Sequence, residues 1–227
     1  MLDFIYRDEA SRMQVGRASC RGRAMHAVNS TTPAQRAVRN RCRLLADEID
    51  TLCSRNADAE LLSLACGHLR EAGHSEAIRD CAFHRMLALD QDPESLEVVR
   101  GDYGPLGVKV AEGSVKTVIA RGRQLGQFDF VYAAGLYDYL KDKIGGRLLR
   151  AMFEMVKPGG KVWIANFQPD IPNVGFMEAL MDWWLIYRTP AEILALAAGL
   201  PNEEVAGVRA FAETENNIVF LEVQKHA

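Results

Sequence analysis

The stretch ELLSLACGHLREA, residues 60–72, joins a short apolar run to a helix-forming one through a single glycine, Gly67. The run 60–65 has the length and apolar content of a buried strand, and the sequence from about Leu69 reads as a helix. At the carboxyl end of a first strand in an open α/β sheet, a glycine lets backbone approach a ligand closely. The helix that follows offers unpaired N–H groups to an anion. Downstream the alternation continues: strand 85–90, helix 93–100, a short strand near Val108, strand 128–133, a helix ending before Lys157-Pro158-Gly159-Gly160, and strand 161–167. FDFVY (128–132) and KVWIAN (161–166) are rich in aromatic and β-branched residues, as strands covered on both faces should be. Alternating strand and helix predicts an α/β fold with a mostly parallel sheet between helices. The alternation breaks only at the end, where 205–211 and 217–223 flank the polar Glu213-Thr214-Glu215-Asn216 and predict an antiparallel strand pair added to one edge.

Upstream of the quoted stretch, Ser30-Thr31-Thr32 and Pro33 are good helix-starting residues, and Val38, Cys42, Leu45 and Ile49 follow at helical spacing. An amphipathic helix over 33–52 is expected, and the chain divides into an N-terminal helical segment, 1–56, and an α/β domain, 57–227. Residues 1–43 hold nine arginines against three acids, although the net charge of the whole is −3. Such an arm could meet nucleic acid, an anionic substrate or the acidic body of its own fold. The arginines are interleaved with small and apolar residues, and no aromatics for base stacking lie among Arg36, Arg39, Arg41 and Arg43, which favours the last reading over nucleic acid.

The 227 residues are 48% hydrophobic and 25% charged, average for a globular protein and unlike disordered, collagenous or coiled-coil chains. No apolar run approaches the roughly 18 residues of a membrane span, and MLDFIYRDEASR carries charge where a signal peptide needs an apolar stretch, so a cytoplasmic location is expected. Five cysteines, odd in number and without a C-x-x-C pair, are not grouped with the five histidines; neither disulfides nor a metal site is expected. Nothing in the sequence specifies an oligomeric state.

The second strand ends in Leu89-Asp90, followed by Gln91-Asp92-Pro93. An acid at this place can accept two hydrogen bonds from a ribose diol, or it can cap the next helix; Asp92 is the better cap, which leaves Asp90 for a ligand. Taken with ALDQDPESL (88–96), FDFVYAAGLYDYL (128–140) and KPGGKVWIANF (157–167), the opening stretch resembles the successive motifs of class I S-adenosylmethionine-dependent methyltransferases over about residues 58–224. PAQRAVRNRCRLLADEI (33–49), GLYDYL (135–140) and MDWWLIYRT (181–189) further resemble a bacterial branch that includes fatty-acid methyl ester synthases and azetidine-2-carboxylate synthases.

The resemblance implies a Rossmann-like sheet with the N-terminal segment as a lid, and S-adenosylmethionine as substrate or methyl donor. Ala65, Cys66, Gly67 and His68 would line the amino-acid end of the cofactor, Asp90 and Gln91 the ribose, Ser114 and Val115 the adenine, and Ala134 and Gly135 the sulfonium side. Where the family carries Gly-x-Gly-x-Gly this chain has Ala65, Gly67 and Leu69, so a narrower pocket is expected.

Tyr137, Tyr139, Trp183, Trp184 and Tyr187 could orient a sulfonium through their ring faces, or could be core at helical spacing. Asn166, at the end of the fifth strand, has an amide able to aim an amine. Arg188 and Arg39 offer two-pronged carboxylate donors or structural ion pairs. His68 reads as a base or a helix cap. Three functions follow: cyclisation of S-adenosylmethionine to azetidine-2-carboxylate with release of methylthioadenosine, methyl transfer to a small acceptor such as a carboxylate or hydroxy fatty acid, or a non-catalytic binding module. The narrower resemblance favours the cyclase, with Asn166, Tyr137, Tyr139 and Tyr187 as its reactive set and a small molecule, rather than nucleic acid or membrane, as partner.

Overall fold

The computed structural model describes residues 2–6 and 9–227. Helices α1 (Leu2–Tyr6), α2 (Glu9–Arg17), α3 (Cys20–Asn29) and α4 (Pro33–Arg55) precede the sheet. The chain then runs through β1 (Glu60–Leu64), α5 (Glu76–Arg79), β2 (Arg85–Asp90), α6 (Pro93–Tyr103), β3 (Val108–Glu112), α7 (Val115–Arg121), β4 (Phe128–Ala133), α8 (Asp142–Glu154) and β5 (Val156–Phe167). It closes with α9 (Val174–Met181), α10 (Pro190–Ala195), β6 (Val205–Ala212) and β7 (Ile218–Lys225).

One seven-stranded sheet has the order β3-β2-β1-β4-β5-β7-β6. The pairs among β1 to β5 are parallel, whereas β7 runs antiparallel to both β5 and β6. Alternate strand residues face opposite sides, so the sheet is buried twice. Leu61, Met86, Phe130, Trp163 and Phe220 share a core with Val38, Leu45 and Ile49 of α4. Their neighbours Leu62, Val131, Val162 and Leu221 pack against Leu148, Leu149 and Phe153 of α8. The helix expected from residue 33 thus forms and lies in the main core, continuous with the sheet rather than apart from it.

The basic arm meets the protein's own acidic turn. Arg36 makes a two-pronged pair with Glu215, with both N···O distances 2.8 Å, and Asn40 donates to Glu213 at 3.0 Å. Among the described residues, no helix is long and apolar enough to cross a membrane, and no cluster of three or more metal-ligating side chains forms.

Two expected helices differ. The one predicted from Leu69 is a 3-10 turn over Arg70–Gly73, followed by the four-residue α5. Asp50 of α4 explains the restart: it accepts from the Ser75 hydroxyl and from the Glu76 and Ala77 amides at 2.5, 3.0 and 2.9 Å, capping a new helix instead of extending the first. The helix after β5 stops at Met181 because Asp182 turns left-handed, φ 49°, so Trp183, Trp184 and Tyr187 lie on an irregular strap rather than on a helix.

Candidate functional site

The sequence of strand connections reverses between β1 and β4: from β1 the chain moves outward to β2 and β3, then crosses back to β4 on the other side. Ligands of open α/β sheets bind at the carboxyl ends of strands flanking such a point. Here two cavities of about 320 and 310 Å³ open at those ends and share Ala65.

The loop between β1 and its 3-10 turn has an alternating backbone. Ala65, Gly67 and Leu69 all take left-handed conformations, with φ of 50°, 51° and 49°. A left-handed residue with a Cβ is strained by about 1–2 kcal/mol, so Ala65 and Leu69 need compensation that Gly67 does not. Leu69 has it in full burial of its side chain. A Cβ on Gly67 would meet no atom within 4 Å and would project into free space. The path is therefore the one glycines would take, with two side chains added to it.

Asp90 braces this loop. One carboxylate oxygen accepts from the Gly67 amide at 2.8 Å and the other from the Asp92 amide at 3.0 Å, which leaves acceptor capacity on each oxygen. Asp92 caps α6 through the Glu94 and Ser95 amides. The first cavity is lined by Asp90 and Gln91, by Ser114, which caps α7, and by Val115, Leu89, Leu136 and Tyr139. The second is lined by Cys66, Gly67 and His68, by Ala134 and Gly135, and by Asp3, Tyr6, Arg41 and Glu71.

α1 is latched beside the second cavity. Asp3 bonds His68 Nδ1 at 2.8 Å and Arg70 Nε at 2.9 Å. Burial opposes the charge on Asp3, but Arg70 and His68 together hold its carboxyl below the ordinary range. Deeper in, Glu71 accepts from the Tyr132 hydroxyl at 2.8 Å, and burial pushes its carboxyl up. The Cys66 thiol is likewise pushed up, by burial and by the nearby acids Asp90 and Glu71, so it stays protonated and is a poor nucleophile.

Several predicted site residues lie elsewhere. Asn166 is fully buried: its amide nitrogen donates to the Phe167 and Ile186 carbonyls at 2.8 Å each, and its oxygen accepts from Arg188 at 2.6 Å. It lines neither cavity, so it cannot reach a substrate there. Tyr137 is also buried, its hydroxyl donating to the Gly145 carbonyl at 3.3 Å. Arg188 is a structural cation bonded to the Tyr137 and Leu140 carbonyls, Asn166 and Asp142. Arg39 donates to the Ile5 and Ser30 carbonyls at 3.1 and 2.9 Å and ties the N-terminal helices together away from both cavities. Tyr187 bonds Glu178, and Trp183 packs on Phe167 while donating to Tyr139. Of the aromatics singled out, Tyr139 alone lines either of these two cavities, so they form no cage there.

The sequence reading passed over Arg41, Tyr6, Glu71 and Asp138. A signal for Arg41 was present: it stands three residues after Val38 and four before Leu45, on the apolar stripe of α4, where a cation needs a reason to be. Asp138, between the two tyrosines of GLYDYL, is buried; it accepts from the Phe167 amide at 2.7 Å, and burial raises its carboxyl to about 6.

Residues 62–164, strand β1 through most of β5, match the family model described as a methyltransferase domain. The fold is that of the class I methyltransferases. A possible exported protein from Bordetella parapertussis superposes on this chain with a TM-score of 0.68 at 17% identity, covering 88% of this chain and 72% of that one. Magnesium protoporphyrin IX methyltransferase from Synechocystis PCC 6803, solved with bound SAH, superposes with a TM-score of 0.59 at 10% identity, covering 86% and 87%. Human N-acetylserotonin methyltransferase, in complex with SAM, gives 0.58 at 17% identity, covering 98% of this chain and 58% of its own. Comparison with curated protein sequences gives no match.

Proposed function

We propose that this chain is an S-adenosylmethionine-dependent methyltransferase acting on a small acceptor. The observation that carries the reading is Asp90, on the wall of the first cavity and bonded to the Gly67 amide that lines the second, oriented by two backbone amides and able to accept more hydrogen bonds. A ribose diol at Asp90 places the adenine in the first cavity, between Leu89, Val115 and Leu136 beside Ser114 and Gln91. The amino-acid end then runs along Ala65, Cys66, Gly67 and His68 into the second, past Ala134 and Gly135. Gly67, with no neighbour where a Cβ would stand, supplies the clearance this path requires.

When bound, S-adenosylmethionine supplies an electrophilic methyl group on a sulfonium. The chain's own residues orient it and keep competing groups quiet: the protonated Cys66 does not intercept the methyl, and α1, latched by Asp3 to His68 and Arg70, acts as a lid that excludes water. The lid role thus narrows from residues 1–56 to α1, because α4 is part of the core.

Cyclisation to azetidine-2-carboxylate asks for acceptors beside the reacting amine. Of the four expected to supply them, Asn166 and Tyr137 are committed to the interior, Tyr187 bonds Glu178, and only Tyr139 lines one of the two cavities, its hydroxyl accepting from Trp183. Methyl transfer needs no such pair. Replacing Asp90 by alanine is expected to weaken S-adenosylhomocysteine binding by about 1–3 kcal/mol, measured by calorimetry on folded protein; unchanged affinity overturns the placement. Incubation with S-adenosylmethionine separates the reactions. S-adenosylhomocysteine that accumulates only with an added acceptor supports methyl transfer, and methylthioadenosine formed without one restores the cyclase.

A further inference from the structure

Arg41 is the one charged side chain of α4 that is almost wholly buried, 3% exposed, and it lines the second cavity next to Gly135. Its surroundings do not satisfy it. Among the described residues Nε has no hydrogen-bond partner, and the one bond from the guanidinium is a long contact to the Tyr6 hydroxyl, 3.4 Å. Among the described residues no carboxylate forms an ion pair with it. Asp138 acts on it only from a distance, and its own carboxyl is bonded to the Phe167 amide. Glu71, on the same cavity wall, is engaged by Tyr132, and burial pushes its carboxyl toward the neutral form. A cation taken out of water is tolerated when an anion and further hydrogen bonds accompany it. Here the described residues supply no such anion, and the unpaired donors border a space large enough to admit one.

We infer that Arg41 is the binding residue for a carboxylate carried into the second cavity by a ligand. The chemistry of the opening selects the class. A planar guanidinium fork matches the two oxygens of a carboxylate. Asp3 on this cavity's wall and Asp90 in the adjoining cavity are acidic, so a doubly charged phosphate meets more repulsion than a single carboxylate does. The inference builds on the proposed cofactor but does not need it: the carboxylate belongs either to the amino-acid end of S-adenosylmethionine or to the acceptor.

Calorimetry with three probes separates these sources. The probes are S-adenosylhomocysteine, methylthioadenosine, which keeps the nucleoside and thioether but has no carboxylate, and hexanoate added to protein saturated with methylthioadenosine. If the cofactor supplies the carboxylate, Arg41→Gln weakens S-adenosylhomocysteine by about 30-fold or more and leaves methylthioadenosine unchanged. If the acceptor supplies it, hexanoate binding to the wild-type protein is lost in Arg41→Gln while both nucleosides bind as before. Arg41→Lys, which keeps the charge without the fork, shows the same selectivity with a smaller loss and serves if the glutamine variant does not fold. Carboxylate binding that is indifferent to Arg41 in folded variants, or no binding of either carboxylate, overturns the inference. Failure of the cofactor reading looks different: the wild-type protein then binds neither nucleoside, and hexanoate added alone tests Arg41 in the same variants.

Discussion

Two arginines reach the carboxyl ends of the strands from opposite directions, Arg41 from α4 and Arg188 from the strap after α9. They are buried alike, 3% and 2% exposed, and the charge of each lowers the Asp138 carboxyl. Arg188 spends all three of its nitrogens on carbonyls, the Asn166 oxygen and Asp142. Among the described residues Arg41 has one long hydrogen bond and an unpartnered Nε. The difference separates a cation that holds the fold from a cation that the fold holds in readiness. Burial alone does not distinguish them; the tally of donors does.

The largest expected effect breaks the Arg188 side of this comparison. Arg188→Met strands the carbonyls of Tyr137 and Leu140 and the amide oxygen of Asn166, and should lower stability by about 3–5 kcal/mol in urea denaturation. A loss under about 1 kcal/mol would show that the bonds of Arg188 are dispensable.

The next effect reads both arginines through Asp138. Burial raises its carboxyl from 3.8 to about 6, against the lowering by Arg41, the Phe167 amide and Arg188. The folded chain therefore holds a proton between about pH 4 and 6 that the unfolded chain has released. This contribution to stability is fully present near pH 4, declines as pH rises through the window and is gone above about 6; it amounts to about 2–3 kcal/mol. Asp138→Asn should flatten that slope in denaturation curves taken from pH 4 to 8. In Arg41→Gln the midpoint should move above 6, since a lowering influence is removed. A slope unchanged by Asp138→Asn would assign it to another group.

The smallest effect is on stability in Arg41→Gln itself, expected within about 1 kcal/mol of wild type, because the departing charge leaves no partner stranded. A loss as large as that of Arg188→Met would make Arg41 a structural cation after all.

Much of the fold was legible in the sequence. Strand 128–133 coincides with β4 and strand 85–90 with β2, because buried strands must be apolar throughout and turn residues bound them sharply. The amphipathic stripe from Pro33 marked α4 in the same way. Gly67 and Asp90 were legible at their strand ends, which are local features, and the family resemblance added Ala65, Ser114 and Gly135; all five line the two cavities. The residues expected to do chemistry were not: Asn166, Tyr137 and Arg188 are polar or aromatic at the right ends of the right strands, yet turn toward one another.

The sequence by itself determined the order of strands and helices, the residues at each strand end and the turn chemistry between them, because periodicity and capping act over a few residues. Only the tertiary structure decided which polar groups are spent on the fold and which are left over. Asn166 and Arg188 are separated by a whole helix and become partners through the path of the strap after α9, while Arg41 enters the cavity because α4 packs across the sheet with that face inward. Hydrogen-bond satisfaction is a property of three-dimensional neighbours. A buried donor therefore shows itself as unpaired only when every neighbour is in place.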